Sequence, residues 1–273
     1  MTYKAVAFDM DGTILDKNRE ILPETVEVIK KISAKGIKVL LATGRHHSVV
    51  YPYHYQLGLD TPVICCNGSY LYDFNQHKVL AGNPMSKEQA KTLLGLVNKH
   101  GIHTLIYTDE KATYEVLDDH LEGLFKWINS LPEEIRPVLH KVDSFIDVID
   151  EANVVYKFAT SSHDLPALRA FSHEIETLYP DLSCEWSWSN RADVAKAGNN
   201  KGAGLEQWSK LSGVPMSQIV AFGDNYNDIT MLKGAGLGIA MGNGEDDIKA
   251  IADRVIGDNN SPSIALELEK IFL

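Results

Sequence analysis

The stretch Tyr3-Lys4-Ala5-Val6-Ala7-Phe8-Asp9-Met10-Asp11-Gly12-Thr13 sets a short apolar run directly against two acids and a glycine. The run up to Phe8 predicts a buried strand, and its abrupt polar ending predicts a functional loop. The same punctuation recurs along the chain. Ile37 to Ala42 ends in Thr43-Gly44-Arg45, Pro62 to Cys66 ends in Asn67-Gly68, and Ile219 to Gly223 ends in Asp224. Leu237 to Met241 is another apolar run. Between the first two strands, Leu22, Val26 and Ile29 recur at helical spacing, and Gly36 closes that helix. A last helix carries Ile264, Leu268 and Ile271. Strands alternating with helices imply parallel pairing, and purely apolar strands imply a sheet covered on both faces. The expected fold class is α/β, a doubly wound, mostly parallel sheet.

The rhythm changes after Ala81-Gly82-Asn83-Pro84. Ser86 with Gln89 forms a capping box; Ala90, Leu93, Leu94 and Val97 mark one helix face, and Gly101 ends it. Thr104–Thr108 and Ala112–Val116 flank a three-residue turn, the pattern of a hairpin. Strand and helix signals continue through 154–160, 168–178 and 182–188. We expect residues 1–83 and 190–273 to form the core, and 84–189 to be an inserted α+β cap.

The chain has 273 residues, 44% of them hydrophobic and 23% charged, enough to bury a sizeable core. Its formal net charge of −11 repels phosphate backbones and anionic membranes, so neither nucleic acid nor membrane is expected as a partner. An anionic substrate would need a local cationic device. The start, MTYKAVAFDMDGT, lacks the apolar core of a signal peptide, and no apolar run approaches the ~20 residues of a membrane helix. A cytoplasmic location is expected, with reduced thiols at Cys65, Cys66 and Cys184.

Four motifs fall where a parallel sheet places its ligands, beyond the carboxyl ends of strands. Asp9 and Asp11 lie two residues apart where the chain turns, and Gly12 supplies freedom for that turn. Thr43 and the amides beside Gly44 can hydrogen-bond an anion. Lys201, opening a helix after Asn200, sits at the end whose dipole favours anions, and is tolerable there if it neutralises one. Asp224, Asn227 and Asp228 bring hard oxygen donors suited to Mg²⁺ after an apolar strand. Each motif alone also reads as an ordinary turn, cap or surface lysine; together, a single site for phosphate and Mg²⁺ accounts for all four.

D-M-D-G-T, L-A-T-G-R, N-K-G and G-D-N-Y-N-D resemble the four motifs of the haloacid dehalogenase superfamily, in order and across essentially the whole chain. The insert of ~100 residues resembles the large α/β cap of its Cof-type phosphatases. T-G-R-H-H, I-C-C-N-G and C-E-W-S-W are similar to the pyridoxal phosphate phosphatases of that group. The resemblance implies a Rossmannoid core and a phosphomonoesterase working through an aspartyl-phosphate. Asp9 would be the nucleophile, and Asp11 the acid and then the base. Mg²⁺ would be held by Asp9, Asp224 and the main-chain carbonyl of Asp11. Met10, Thr43, Gly44, Lys201 and Asn227 would hold the phosphoryl group, with Thr43 and Lys201 also serving catalysis. Asp228 would orient Lys201 or a metal-bound water. The substrate would be a small phosphorylated metabolite, pyridoxal 5′-phosphate first and sugar phosphates as the alternative, and the chain a monomer or weak homo-oligomer. Trp186, Trp188, Asn190, His46 and His47 are candidate substrate contacts, though each also reads as core or helix start. A phosphoaspartate switch or binding module is the reading from another class; the long insert and the leaving-group position of Asp11 argue against it.

Overall fold

A computed structural model describes residues 2–273, which divide into two compact units. In chain order the elements are β1 (Ala5–Phe8), α1 (Pro23–Ala34), β2 (Lys38–Leu41), α2 (His47–Leu57), β3 (Val63–Cys65), β4 (Tyr70–Asp73) and β5 (Lys78–Gly82). Next come α3 (Lys87–His100), β6 (His103–Thr108), β7 (Ala112–Tyr114), α4 (Asp119–Ser130), β8 (Leu139–Lys141), α5 (Phe145–Glu151), β9 (Val155–Ser161) and α6 (Leu165–Leu178). The chain then forms β10 (Leu182–Trp188), β11 (Arg191–Lys196), α7 (Lys201–Ser212), β12 (Ile219–Gly223), α8 (Ile229–Gly234), β13 (Leu237–Ala240), α9 (Asp246–Ile251), β14 (Arg254–Val255) and α10 (Ser263–Phe272).

Among the described residues the first unit comprises 2–44, Tyr53–Ala81 and Asn200–Leu273. Its sheet has the order β14-β13-β12-β1-β2 with every pair parallel. Every residue of β1, β12 and β13 is buried, as unbroken apolar runs require of a sheet covered on both faces. β1 lies between β12 and β2, with Phe8 in register with both Phe222 and Leu41. The Phe8 and Phe222 rings stack at 4.9 Å, locking the two central strands one residue before their functional ends. Asp9 N–H continues the ladder to the Phe222 carbonyl at 2.9 Å. A bridge from Ala42 to Ile64 extends the pattern into a small sheet of β3, β4 and β5.

α1 differs in phase from its sequence reading. Its buried face is Thr25, Val28, Ile29 and Ile32, because Pro23 starts the helix and leaves Leu22 as the residue before it. Val26 is only half-buried.

The second unit comprises Arg45–Pro52 and Gly82–Asn199. Its six-stranded sheet, β10-β11-β9-β6-β7-β8, is antiparallel except for the β7–β8 pair. Ile106, Phe158 and Val194 pack with α3, α5 and α6. The alternate residues Leu105, Ala112 and Tyr114 pack with Leu121, Leu124 and Ile128 of α4 and with Val49, so the two clusters occupy opposite sheet faces. The expected boundary at residue 190 differs from this division. The turn at 189–190 makes β10 and β11 a hairpin, and β11 also pairs with β9, so the segment through Asn199 stays with the second unit.

Truncating Phe222 removes the stacked partner of Phe8 from a fully buried site. Phe222→Ala should lower the unfolding free energy by about 3–5 kcal/mol, read by urea denaturation.

Candidate active site

Four strand ends of the first unit supply the polar residues, and Lys201 joins two of them. It is the first residue of α7, whose preceding residue Asn200 accepts a hydrogen bond from Ala203 N–H through its side chain. The Lys201 side chain is 1% exposed, so it is not a solvated surface lysine. Its Nζ donates to Asp9 Oδ1, and to Asp228 Oδ1 at 2.6 Å. Asp228 Oδ2 in turn accepts from the main-chain N–H groups of Asp224 and Asn225, both at 3.0 Å. Asp224 Oδ1 accepts from the Thr13 hydroxyl at 2.7 Å. Carboxylate oxygens of Asp9, Asp224 and Asp228 all lie within 4.8 Å of one another.

Two glycines make this crowding possible. A Cβ on Gly12, whose φ is +86°, would fall 2.3 Å from Asp224 Oδ2. One on Gly223 would fall 2.6 Å from the Asp228 Cβ. Either would push a carboxylate out of the cluster.

Met10 is buried, and its carbonyl accepts from Thr13 and Leu15 N–H. Thr43 is buried too; its N–H donates to the Ile64 carbonyl and its own carbonyl accepts from Asn67 N–H, each at 2.9 Å. Gly44 is half-buried. Asn227 Nδ2 donates to Asn67 Oδ1 at 3.3 Å. Asp11 is exposed, and its carboxylate lies outside the acid cluster, in which Asp228 takes the third place. Asp228 is in direct contact with Lys201, the residue it is expected to orient. Sequence reasoning assigned no role to Thr13 or Asn67. Asn67 is buried at φ +52°, and the Asn-Gly pair closing the third strand is the signal that could have found it.

Burial, then repulsion from Asp228, raises Asp9 well above the usual carboxylate range, against the pull of Lys201. Asp224 is pushed up to about 6 by burial and by Asp228, with the Thr13 hydrogen bond opposing. Burial alone would lower the Lys201 ammonium, but Asp228 and Asp9 outweigh it and hold the group above its ordinary value. Concentrated hard oxygen donors that resist ionisation together fit a small divalent cation, whose charge would reverse that resistance.

The other candidates lie in the second unit. His46 is buried, Nε2 on the Thr108 carbonyl (3.1 Å) and Nδ1 on Ser48 Oγ (2.9 Å), which serves the start of α2. His47 begins that helix, and burial lowers it to about 4. Trp186 is half-buried against the larger core and donates from Nε1 to Ser172 Oγ at 3.2 Å. A register shift separates it from Trp188, which is 62% exposed, so the two do not share one packed face. Asn190 lies in the hairpin turn, its carbonyl accepting from Ser162 N–H. Sequence reasoning missed the buried ion pair of Lys157 and Asp193, 2.6 Å apart, with Lys157 Nζ 5.6 Å from the Tyr107 ring centroid. A lysine amid Val154-Val155-Tyr156 and Phe158 was its signal. Burial raises the Cys65 thiol, and raises Cys184 to about 12, so neither is poised as a thiolate. Among the described residues no helix is long and apolar enough to cross a membrane.

Acids and a buried lysine gathered at the strand ends of a parallel sheet, in a chain with an inserted α+β unit, define a class of phosphoryl-transferring hydrolases. The chain belongs to the haloacid dehalogenase-like hydrolase family, whose match spans residues 6–268. It is 43% identical over 265 residues to pyridoxal phosphate phosphatase YbhA of Escherichia coli, covering 97% of each chain. It is 30% identical to an HMP-PP phosphatase of Serratia proteamaculans, covering 98% of this chain and 94% of that one. A haloacid dehalogenase-like hydrolase from Bacteroides thetaiotaomicron shares the fold with a TM-score of 0.86 at 23% identity, covering 99% of this chain and all of that one. The protein is a phosphatase of this family.

Lys201→Met leaves two buried carboxylates without their cation and should lower the stability of metal-free protein by about 3–5 kcal/mol. Adding Asp228→Asn should recover part of that loss, both read by urea denaturation. The His47 value sets a second expectation. A folded value of about 4 against an ordinary 6.5 means the unfolded chain binds more protons between them. Stability contributed by neutral His47 is therefore present above pH 6.5 and lost as pH falls towards 4. The unfolding free energy of His47→Gln should show a shallower rise from pH 4 to 6.5 than that of the unaltered protein.

Proposed function

We propose that the protein is a Mg²⁺-dependent phosphomonoesterase that releases phosphate from pyridoxal 5′-phosphate through an aspartyl-phosphate on Asp9. The reaction rests on one observation: a buried acid at the end of the central strand, hydrogen-bonded to Lys201 within a cluster of three carboxylates. The substrate rests on the 43% identity, along nearly the full chain, to a pyridoxal phosphate phosphatase.

An Asp9 carboxylate oxygen attacks phosphorus in line with the leaving oxygen. As the bond from phosphorus to that oxygen breaks, Asp11 gives its proton to the departing alkoxide. Asp11 then takes a proton from water, whose oxygen attacks phosphorus and breaks the bond to Asp9. Inorganic phosphate leaves, and both acids return to their starting states. Lys201, Thr43, Asn227 and the amides around Met10 and Gly44 would hold the phosphoryl oxygens through both steps, so catalysis is mainly positioning and charge stabilisation. Asp9, Asp224 and the Asp11 main-chain carbonyl would hold Mg²⁺. Bound there, the ion offsets repulsion between an anionic nucleophile and an anionic phosphate. Exposure of Asp11 suits a group that exchanges protons with alcohol and water, while burial of Asp9 suits a nucleophile shielded from water.

The second unit would select the substrate. Its buried Lys157–Asp193 pair beside Tyr107 is a better candidate for that task than the exposed Trp188.

Phosphate release should be measured from pyridoxal 5′-phosphate and a panel of sugar phosphates, with Mg²⁺ and with EDTA. A kcat/KM preference for pyridoxal phosphate of at least about tenfold, lost in EDTA, is expected, a difference of about 1.4 kcal/mol in transition-state binding. Equal rates across the panel would replace the narrow substrate with a broad one. Asp9→Asn should abolish turnover while keeping the fold, and wild-type-like turnover by that variant would remove the covalent mechanism.

A further inference from the structure

The turn carrying Asp11 is closed by its own hydrogen bonds and buttressed by a second set from later in the chain. Thr13 N–H and Leu15 N–H bond the Met10 carbonyl, and Ile14 N–H bonds the Asp9 carbonyl. The bond from Thr13 to Met10 closes a four-residue turn with Asp11 and Gly12 at its centre, and a bridge pairs Asp11 with Leu15. Gly12 follows Asp11 in that turn at φ +86°, a conformation that favours glycine. A proton donor that must meet a leaving oxygen has to be held closely, since misplacement by about 1 Å can cost two orders of magnitude in rate.

Further restraint arrives from another part of the first unit. Asn243 Nδ2 donates to the Gly12 carbonyl at 2.8 Å. Asn243 Oδ1 accepts from Asn259 N–H at 3.0 Å, which orients the amide so that its NH₂ group points at Gly12. Asn259 Nδ2 donates to the Leu15 carbonyl at 2.7 Å, and Asn260 Oδ1 accepts from Lys17 N–H at 3.1 Å. Three asparagines after β13 and β14 thus brace the loop at Gly12, Leu15 and Lys17, and only the bond from Asn243 reaches the residue next to Asp11. The base of the brace is itself fixed. Gly242 N–H bonds the Gly257 carbonyl at 2.9 Å, joining the loop of Asn243 to that of Asn259.

We infer that Asn243 is a positioning residue for the reaction: its amide holds the Gly12 peptide so that Asp11 is aimed at the leaving oxygen. The inference rests on the acid role proposed for Asp11. Asn243 touches neither the phosphate-holding groups nor the carboxylate cluster. Its loss should therefore affect the protonated departure of the alcohol more than attack by Asp9.

Leaving-group chemistry separates these effects. The alcohol of pyridoxal 5′-phosphate needs a proton to depart, whereas the phenolate of p-nitrophenyl phosphate does not. Asn243→Asp is the informative variant, because it keeps the size and the acceptor for Asn259 but removes the donor to Gly12. Asn243→Asp and Asn243→Ala should lower kcat on pyridoxal phosphate by about tenfold, a fraction of the 10²–10⁴ that general acid catalysis supplies. Their kcat on p-nitrophenyl phosphate should fall several-fold less. Melting temperature and circular dichroism establish that each variant is folded, and Asn259→Ala, which keeps the main-chain donor to Asn243, should show a smaller selective loss. Equal losses on both substrates, or none, with Asp11→Asn showing the selective loss, overturn the inference alone. If Asp11→Asn shows no selective loss, the acid role fails and the inference falls with it.

Discussion

The ammonium of Lys201 stands between the carboxylates of Asp9 and Asp228, all three withdrawn from water. Three such charges are tolerable only because each has a charged partner at hydrogen-bond distance; removing one leaves another uncompensated. The constraint reaches backwards into the fold. Asp9 follows β1, Asp228 follows β12 by a short turn, and Lys201 opens α7, so two strands and a helix must be held in one register. The ladder pairing Phe8 with Phe222, and their stacked rings, supplies that register. The close approach of Asp228 to Gly223, and of Asp224 to Gly12, explains why neither position can carry a side chain.

What was legible in the sequence follows from this arrangement. Buried parallel strands must be apolar along their length, so β1, β2, β12 and β13 stood out as runs, and the polar residues ending them stood out by contrast. Asp9, Thr43, Lys201, Asp224 and Asp228 were therefore readable one by one, and all five lie in the first unit. The convergence of Asp9, Lys201, Asp224 and Asp228 was not readable from spacing, since 192 positions separate Asp9 from Lys201. It became legible only through the rule that ligands gather beyond the carboxyl ends of such strands, and through likeness to a known set of motifs.

Other features were hidden for identifiable reasons. Asn67 reads as half of an ordinary Asn-Gly turn; the side chain that bonds it, Asn227, lies 160 positions away. The phase of α1 was misread because Leu22 and Val26 match a helical period, whereas Pro23 starts the helix after Leu22 and burial against the sheet selects Val28, Ile29 and Ile32. Placing the core boundary at residue 190 puts β11 in the core. The tight turn at 189–190 instead commits it to the antiparallel sheet. Lys157 broke an apolar run, and the partner that makes its burial tolerable, Asp193, lies on another strand.

The charge of the cluster carries the argument one step further. Three ionised carboxylates and one ammonium leave two negative charges in a buried space, within a chain already at −11. Burial first, and repulsion from Asp228 second, raise both Asp9 and Asp224 above the ordinary carboxylate range, so protein alone resists ionising them together. The nucleophilic role proposed for Asp9 nevertheless requires an ionised carboxylate, and a phosphate monoester would bring further negative charge to meet it. The two requirements conflict unless the cluster gains a cation of charge two, which leaves the four side chains neutral before the substrate enters. Under that proposal Lys201 would no longer neutralise the acids alone and could share its hydrogen bonds with a phosphoryl oxygen. A single lysine held between two acids is thus half of a charge balance, and the acids left over define the chemistry of the other half.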